Sequence, residues 1–567
     1  MERNPAMRMS EAGAKPWPTE LFPSELAGVR QRMVSALAAR VGPDGAVRDP
    51  CGSRVLESAL AAALLERTGL EGAGRKGAGL ERVPSGGGAA DAVRGFLRTR
   101  MAGGAVEATE RSLAAAVLDR RAVTSPGPLV RQVTGTAPDF TAGRKQALVH
   151  AFAAAVDDRF PACWNEAAFD LSGLHSWAAV QVTASKVILA RATGNTTRIS
   201  DEDVRLLLDT QGRPHVWEGN VLIHLSVLHA LSGLPGTGTV VREGLRRALE
   251  HQRADGGLPF VTDTDTWSSA TAGVALAVAG APRNVLERVA AHLVGRQLPG
   301  GGWSYTDLSY QTDVDDTSVA VQFLHSLDPA RYREPITRGL DSMAAVASPD
   351  GGYPTYVAGA PAECCMTAAV VDALTVRPAA HAARVRAGLL HLAAHQRADG
   401  SFPPDWSSSR LHTVFRVLLA ASRSPRERSA EVRRMVERSM RLVLDRQNGD
   451  GGWGQRDGEP SDVISTAYGL IAVCGQDDPQ PALAAVSFLV AAERDGSVRG
   501  ARPDSIGPRP FVFTVPVLAD VFTVLALGHL ARRTAPAGDV TGTGRAEGTF
   551  GTGPAGDGAG AELAGVG

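Results

Sequence analysis

Cysteine is scarce in this chain. Five residues (Cys51, Cys163, Cys364, Cys365 and Cys474) in 567 make an odd number with no Cys-x-x-Cys pair. That excludes a disulfide framework and a zinc ribbon, and it points to a reducing, cytoplasmic setting. An excess of one charge is also missing: 59 basic residues face 60 acidic ones, so no bulk field draws nucleic acid or an anionic membrane. An anionic ligand has to be held locally. Only four basic residues are lysines (Lys15, Lys76, Lys145 and Lys186), which reads as codon bias toward arginine. No run suits a transmembrane segment, because the longest apolar stretch, Phe511 to Leu530, contains Pro516, Asp520 and His529, each costly in hydrocarbon. It reads as a buried core helix. The N-terminus as far as Pro18 is polar and lacks the apolar stretch of a secretory signal.

What is present is an apolar pattern of helical period. Val319, Phe323 and Leu327 recur every four residues, with Ala320 and Leu324 widening the stripe, whereas strand-like alternation is rare. The fold class is therefore all-α. A turn element also repeats: QRADGGL at Gln252, QLPGGGW at Gln297, SPDGGY at Ser348, QRADGSF at Gln396 and QNGDGGW at Gln447. The copies bearing glutamine are 45, 99 and 51 residues apart, and the Ser348 copy divides the longest interval. A period near 50 residues fits a helical hairpin, and hairpins that bury a face only against neighbours must stack into a solenoid or a closed toroid. In each copy the glycines supply the tight backbone that ends a helix, and the glutamine is placed to bond a helix end beneath the following aromatic. Residues 1–15 and 533–567 are expected to be disordered tails, and the Gly-rich stretch 71–91 a long surface loop.

The run Thr312-Asp313-Val314-Asp315-Asp316-Thr317 stands immediately before the Val319 helix. A cap followed by acids in the first turn is what a helix dipole favours on its own account. Chemistry offers a sharper use. Protonating an isolated alkene needs an unusually strong acid, and three carboxyls crowded into one apolar turn cannot all ionise. Asp313 and Asp316, three apart, share a helix face, while Asp315 projects about 100° from Asp316.

An Asp-x-Asp-Asp-Thr run embedded in Gln-x-x-x-Gly-x-Trp repeats resembles the class II terpene cyclases, the group that includes squalene-hopene cyclases and bacterial copalyl-type diphosphate synthases. The resemblance spans about residues 20 to 530. It implies two α/α-barrel (toroid) domains, called β and γ, with the active site between them. By that pattern the β domain is 281–532 plus an N-terminal helix in 16–40, and the γ domain is inserted at 41–280. It also implies that Asp315 is the proton donor and that Asp313 and Asp316 orient and polarise it. Magnesium is the expected companion of the diphosphate; its ligands stay open, with Glu218 in HVWEGN as one suggestion.

Other residues follow from the same resemblance. Lys186, in the apolar stretch after Leu174-His175-Ser176-Trp177, is the candidate to grip the diphosphate, with Arg144 and Lys145 behind it. Trp303, Tyr353, Phe402 and Trp453 read first as repeat aromatics; Trp303 and Tyr310, the latter three residues before the acid run, are the candidates to line the substrate cavity. The segment Ala362 to Ala369 resembles the hopene-cyclase stretch that ends in a histidine bonded to the acid. Ala369 holds that place here, so the partner of Asp315 stays open and squalene is disfavoured. His224, His229 and His325 are candidates to take the final proton. An aromatic content of 5% suits a short cascade. No complete Asp-Asp-x-x-Asp motif accompanies Asp157-Asp158, so the diphosphate should survive.

The function these readings imply is cyclisation of geranylgeranyl diphosphate to a bicyclic labdane, halimane or clerodane diphosphate such as copalyl diphosphate. Farnesyl diphosphate giving a drimenyl-type diphosphate is the nearest variant. The implied partners are the prenyl diphosphate and a downstream class I synthase or phosphatase. The rivals are a protein prenyltransferase β-like subunit, which holds zinc through Asp, Cys and His, and a non-catalytic toroid scaffold.

Overall fold

The computed structural model describes residues 16–69, 88–103, 106–121, 123, 127, 130–131, 142–424, 428–507 and 511–535. Residues 1–15, 70–87 and 536–567 lie outside the described residues; Arg533 and Thr534, expected in the C-terminal tail, finish the last helix, and Ala89 to Asp91, expected in the Gly-rich loop, open a helix, because apolar neighbours in each segment pack on a core. After α1 (Leu26–Ala39) the chain enters and leaves an inserted barrel at a single point: β1 (Ser53–Arg54) pairs antiparallel with β2 (Leu258–Pro259). Between these strands run α2 (Val55–Thr68), α3 (Ala89–Ala102), α4 (Ala108–Asp119), α5 (Ala142–Val156), α6 (Ser176–Ala192), α7 (Asp201–Asp209), α8 (Val221–Leu231) and α9 (Gly238–Leu249). Helices α2, α4, α5, α6 and α8 touch in turn and close on one another around a core of their own. Every residue of α8 is buried, which accounts for a sequence with no polar face.

The second barrel contains α10 (Asp265–Ala279), α11 (Arg283–Arg296), α12 (Val314–Leu327), α13 (Arg333–Ala345), α14 (Cys364–Leu374), α15 (Pro378–His395), α16 (Leu411–Arg423), α17 (Ala430–Asp445), α18 (Val463–Val473), α19 (Gln480–Asp495) and α20 (Leu518–Thr534). The even-numbered members form an inner ring in which each helix touches the next and α20 touches α10. The odd-numbered helices pack outside, and α1 fills the sixth outer place against α20 and α10. This is a closed α/α toroid. Packing moves one boundary expected from the sequence: Ala270, Ala272, Ala275 and Leu276 of α10 belong to the second core, as do Val41 and Val47. The inserted barrel therefore spans about 52–260 rather than 41–280, because the apolar side of α10 is buried against α12 and α20.

The repeat turns explain how inner and outer helices are joined. Gln297 Nε2 donates to Gly301 O (2.7 Å) in its own turn and to Pro335 O (2.9 Å) at the start of α13; Gln447 does the same with Gly451 O and Pro481 O, both at 2.8 Å. Each glutamine thus ties one hairpin to the next. Gly301 has φ 90°, and a Cβ there would lie 2.5 Å from Arg338 O, so only glycine fits. A further copy that the sequence reading passed over, Pro43-Asp44-Gly45, has the same backbone, with φ 86° at Gly45.

Candidate active site

The acid run is built on one of these turns. Trp303 is fully buried and its Nε1 donates to Leu293 O (2.7 Å), so it serves the repeat as a structural ring. Its carbonyl accepts from Asp313 N (3.0 Å), and its amide donates to Thr317 Oγ1 (3.0 Å), which locks the turn onto the first turn of α12. Asp313 is the N-cap, with its side chain accepting from Asp316 N (2.8 Å). Val314 N donates to Thr355 O (3.0 Å), which places Tyr356 beside the motif.

The three carboxyls then meet different surroundings. Burial pushes Asp313 up to about 6, and burial followed by the nearby Asp313 holds Asp316 well above the ordinary carboxylate range. Of the three carboxyls, Asp316 is the one whose charged form burial and Asp313 disfavour together. Asp315 turns the other way, with 16% of its side chain exposed, and meets Arg416 of α16 in a two-pronged contact at 2.6 and 3.3 Å. Asp315 shares a helix face with Val319 and Gln322, four and seven residues on, and both of these line the lumen of the second barrel together with Arg416, Phe415 and Phe522. The space left between these lumen side chains is about 70 Å³. Phe415 and Tyr468 stack at 4.7 Å, and Phe522 meets Tyr468 edge-on at 4.8 Å. On the other side of the motif, where the barrels meet, Tyr356 packs on His175 (4.2 Å) and Trp177 (5.2 Å) from the inserted barrel. The acid run thus has an aromatic cluster on each side.

Glu218 fastens the barrels together at this point. It has φ 53°, unusual for a residue other than glycine, and its Oε2 accepts from Trp177 Nε1 (3.1 Å), Ser309 Oγ (2.7 Å) and Tyr310 N (2.8 Å), while Tyr305 Oη donates to its carbonyl (2.6 Å). The carboxylate thus fixes the segment that leads into the acid run.

Several known proteins resemble this chain. Residues 281–532 match the squalene-hopene cyclase C-terminal domain family. The chain is 36% identical to a drimenyl diphosphate synthase from Streptomyces showdoensis over 93% of its own length and 99% of that protein. The chain belongs to the class II terpene cyclases. A second drimenyl diphosphate synthase, from Streptantibioticus cattleyicolor, is also 36% identical, over 89% of this chain and 95% of that one. The fold matches ent-copalyl diphosphate synthase from Streptomyces platensis with a TM-score of 0.53 at 16% identity, covering 90% of this chain and 100% of that chain. Class II terpene cyclases are isomerase-type enzymes, so this chain is neither a prenyltransferase subunit nor a scaffold.

Within this cyclase the sequence candidates fall in several places. Asp313, Asp315 and Asp316 come together at the head of α12. Tyr310 is 58% exposed at the junction of the barrels, beneath Arg213, whose Nη1 donates to its hydroxyl (2.9 Å). Lys186 pairs with Asp203 (2.7 Å) and Arg144 donates to Asp170 O (2.9 Å). His224 and His229 are buried in the inserted barrel with Nε2 against backbone carbonyls, and His325 lies partly buried on α12. Arg416 was missed in the sequence. The available signal was an arginine inside the apolar run Val414 to Ala421.

The residues present do not build a metal cage. Among the described residues no three His, Cys, Asp or Glu side chains converge, and the oxygen of Glu218 that faces the junction is already occupied by protein donors. An Asp-x-Cys step does occur in the chain, at Asp49-Pro50-Cys51, and its Asp49 is held by Arg40 at 2.6 Å.

Proposed function

We propose that this cyclase converts farnesyl diphosphate to a drimane-type bicyclic diphosphate, with Asp315 as the proton donor. The observation that carries the substrate is that both relatives, matched over nearly the whole chain, are drimenyl diphosphate synthases. Geranylgeranyl diphosphate, favoured by the sequence reading, becomes the comparison substrate. In this reading Asp315 gives its proton to the terminal alkene, the remaining two alkenes close two rings in succession, and the last cation loses a proton. The net reaction is an isomerisation, and the C–O bond to the diphosphate is never broken. The aromatic faces of Phe415 and Phe522 are suited to stabilise cationic intermediates. Magnesium, if used, travels with the substrate diphosphate. The product needs a phosphatase or a class I synthase to consume it. A reducing, cytoplasmic setting belongs to the same reading and is supported by five free cysteines.

The test is incubation of the full chain with each diphosphate and Mg2+, followed by phosphatase treatment and identification of the alcohol by mass spectrometry and NMR. A drimane alcohol from the C15 substrate is expected. Efficient turnover of the C20 substrate with none of the C15 substrate would overturn the proposal.

A further inference from the structure

Arg416 is a charge placed where the helix it belongs to has every reason to exclude one. Its side chain is 10% exposed, it is flanked by Phe415 and Val417, and it points into a lumen wall that carries Gln322, Asp372, Arg423 and His529 among apolar residues such as Val319, Leu419 and Phe522. Removing a guanidinium from water is strongly unfavourable unless a partner of matched geometry is supplied. Asp315 is that partner, and it contributes both oxygens. The other groups around the pair offer no rival anion of comparable geometry. From α12, burial disfavours the charged form of Asp316, and Asp313 is turned to the Asp316 amide; from α14, Cys365 is near and Asp372 is paired with Arg423 (2.7 Å); from α18, Tyr468 donates to Asp504 (3.0 Å). Ala368 and Ala369 share the lumen wall with Arg416, and their small side chains leave room for a guanidinium.

Resting on the reading of Asp315 as donor, we infer that Arg416 is the positioning residue of the proton-transfer step. Its planar fork fixes the carboxyl against rotation, and its charge stabilises the carboxylate that remains when the O–H bond breaks and the alkene π pair forms the new C–H bond. The proton released by the final cation leaves to solvent or to a neighbouring acceptor, and Asp315 is reprotonated before the next cycle. The fork matters as well as the charge, because a lysine ammonium is a point donor that cannot hold both oxygens in one plane.

The experiment compares wild type, Arg416→Lys, Arg416→Met and Asp315→Asn as full-length proteins in steady-state turnover across pH, with thermal melts alongside. Arg416→Met is expected to lower kcat by about 10²–10³-fold, the scale of losing one preorganised donor to a developing anion, with KM changed by less than about threefold. Arg416→Lys should recover part of kcat but not all of it. Arg416→Met with near-normal kcat, or with a loss confined to KM, overturns the inference. If Arg416→Met fails to fold, Arg416→Lys decides: wild-type kcat in that variant overturns the role of the fork. Asp315→Asn separates the two readings, because activity in that variant defeats the donor assignment itself, whereas an inactive Asp315→Asn beside a normal Arg416→Met defeats only the role of Arg416.

Discussion

Asp462 stands in the last repeat where Asp313 stands in the acid-bearing one. Each caps its helix by accepting the amide three residues on, Ser465 at 3.0 Å and Asp316 at 2.8 Å, and each donates its own amide to the carbonyl of its turn tryptophan, Trp453 or Trp303. Thr466 and Thr317 accept the tryptophan amides in the same way, both at 3.0 Å. The outer members of the acid run, Asp313 and Thr317, thus belong to the repeat framework. The places of Asp315 and Asp316 are held by Ile464 and Ser465 in the other copy, so these two acids are what the framework does not require.

Asp313→Asn should consequently keep the melting temperature of the wild type, because asparagine caps as well as aspartate, while Asp313→Ala should lose about 1 kcal/mol. Chemical denaturation of the two variants checks this. Equal losses would show that the charge at residue 313, rather than its cap, carries the stability.

Asp315→Asn should fold normally and lose at least about 10³-fold in turnover, since an amide offers no proton to an alkene. Product formation from farnesyl diphosphate, measured beside a circular dichroism melt, provides the check.

Gly301→Ala should destabilise the second barrel by about 2–3 kcal/mol or more, because φ 90° is foreign to alanine and the new methyl would meet Arg338 O at 2.5 Å. Gly300→Ala, with open space around its Cβ, should be tolerated. Similar melting temperatures for the two variants would contradict this account of the turn.

The repeat was legible in the sequence because its parts act locally: the glutamine reaches its own glycine carbonyl four residues on, and the glycine is demanded by one backbone angle. The acid run was legible for the same reason, since cap and first turn are neighbours in sequence. Arg416 was not, because 101 residues separate it from Asp315 and only ring closure brings α12 and α16 to the same lumen. The boundary near α10 was hidden for a related reason. Its alanine-rich face fits either barrel, and only the packing against α20, some 250 residues later, decides between them. Glu218 could be noticed as an acid in HVWEGN, but its donors at 309–311 come from the other barrel, so its place as a strut between the barrels was hidden.

Glu218→Ala should therefore weaken the junction of the barrels by about 3 kcal/mol, since it strands the Trp177 indole, the Ser309 hydroxyl and the Tyr310 amide together. Glu218→Gln retains an acceptor and should lose less. Turnover should fall with Glu218→Ala even at temperatures where the protein stays folded, because the segment leading into the acid run loses its anchor. Activity assays at 15 °C, paired with melts, test both halves of the expectation.

Glu110 gives the protein a pH dependence of known sign. Burial pushes its carboxyl up to about 7 despite Arg54, whose guanidinium is shared with Glu57. The folded state thus holds a proton that the unfolded chain releases near the ordinary glutamate value of 4.5. A group whose folded value is raised contributes stability that is fully present below the unfolded value and is lost as pH rises through the folded one, here between about 4.5 and 7. Glu110→Gln is neutral at every pH and keeps an oxygen for the Leu56 amide (3.3 Å). It should match wild type at pH 5 and exceed it at pH 8 by something on the order of 1–3 kcal/mol. Asp265, raised to about 7, and Asp504, raised to about 6, act in the same direction and remain in both proteins. The informative quantity is therefore the difference between variant and wild type at each pH. A difference that is the same at pH 5 and pH 8 would mean that the gain comes from packing and that Glu110 is ionised throughout.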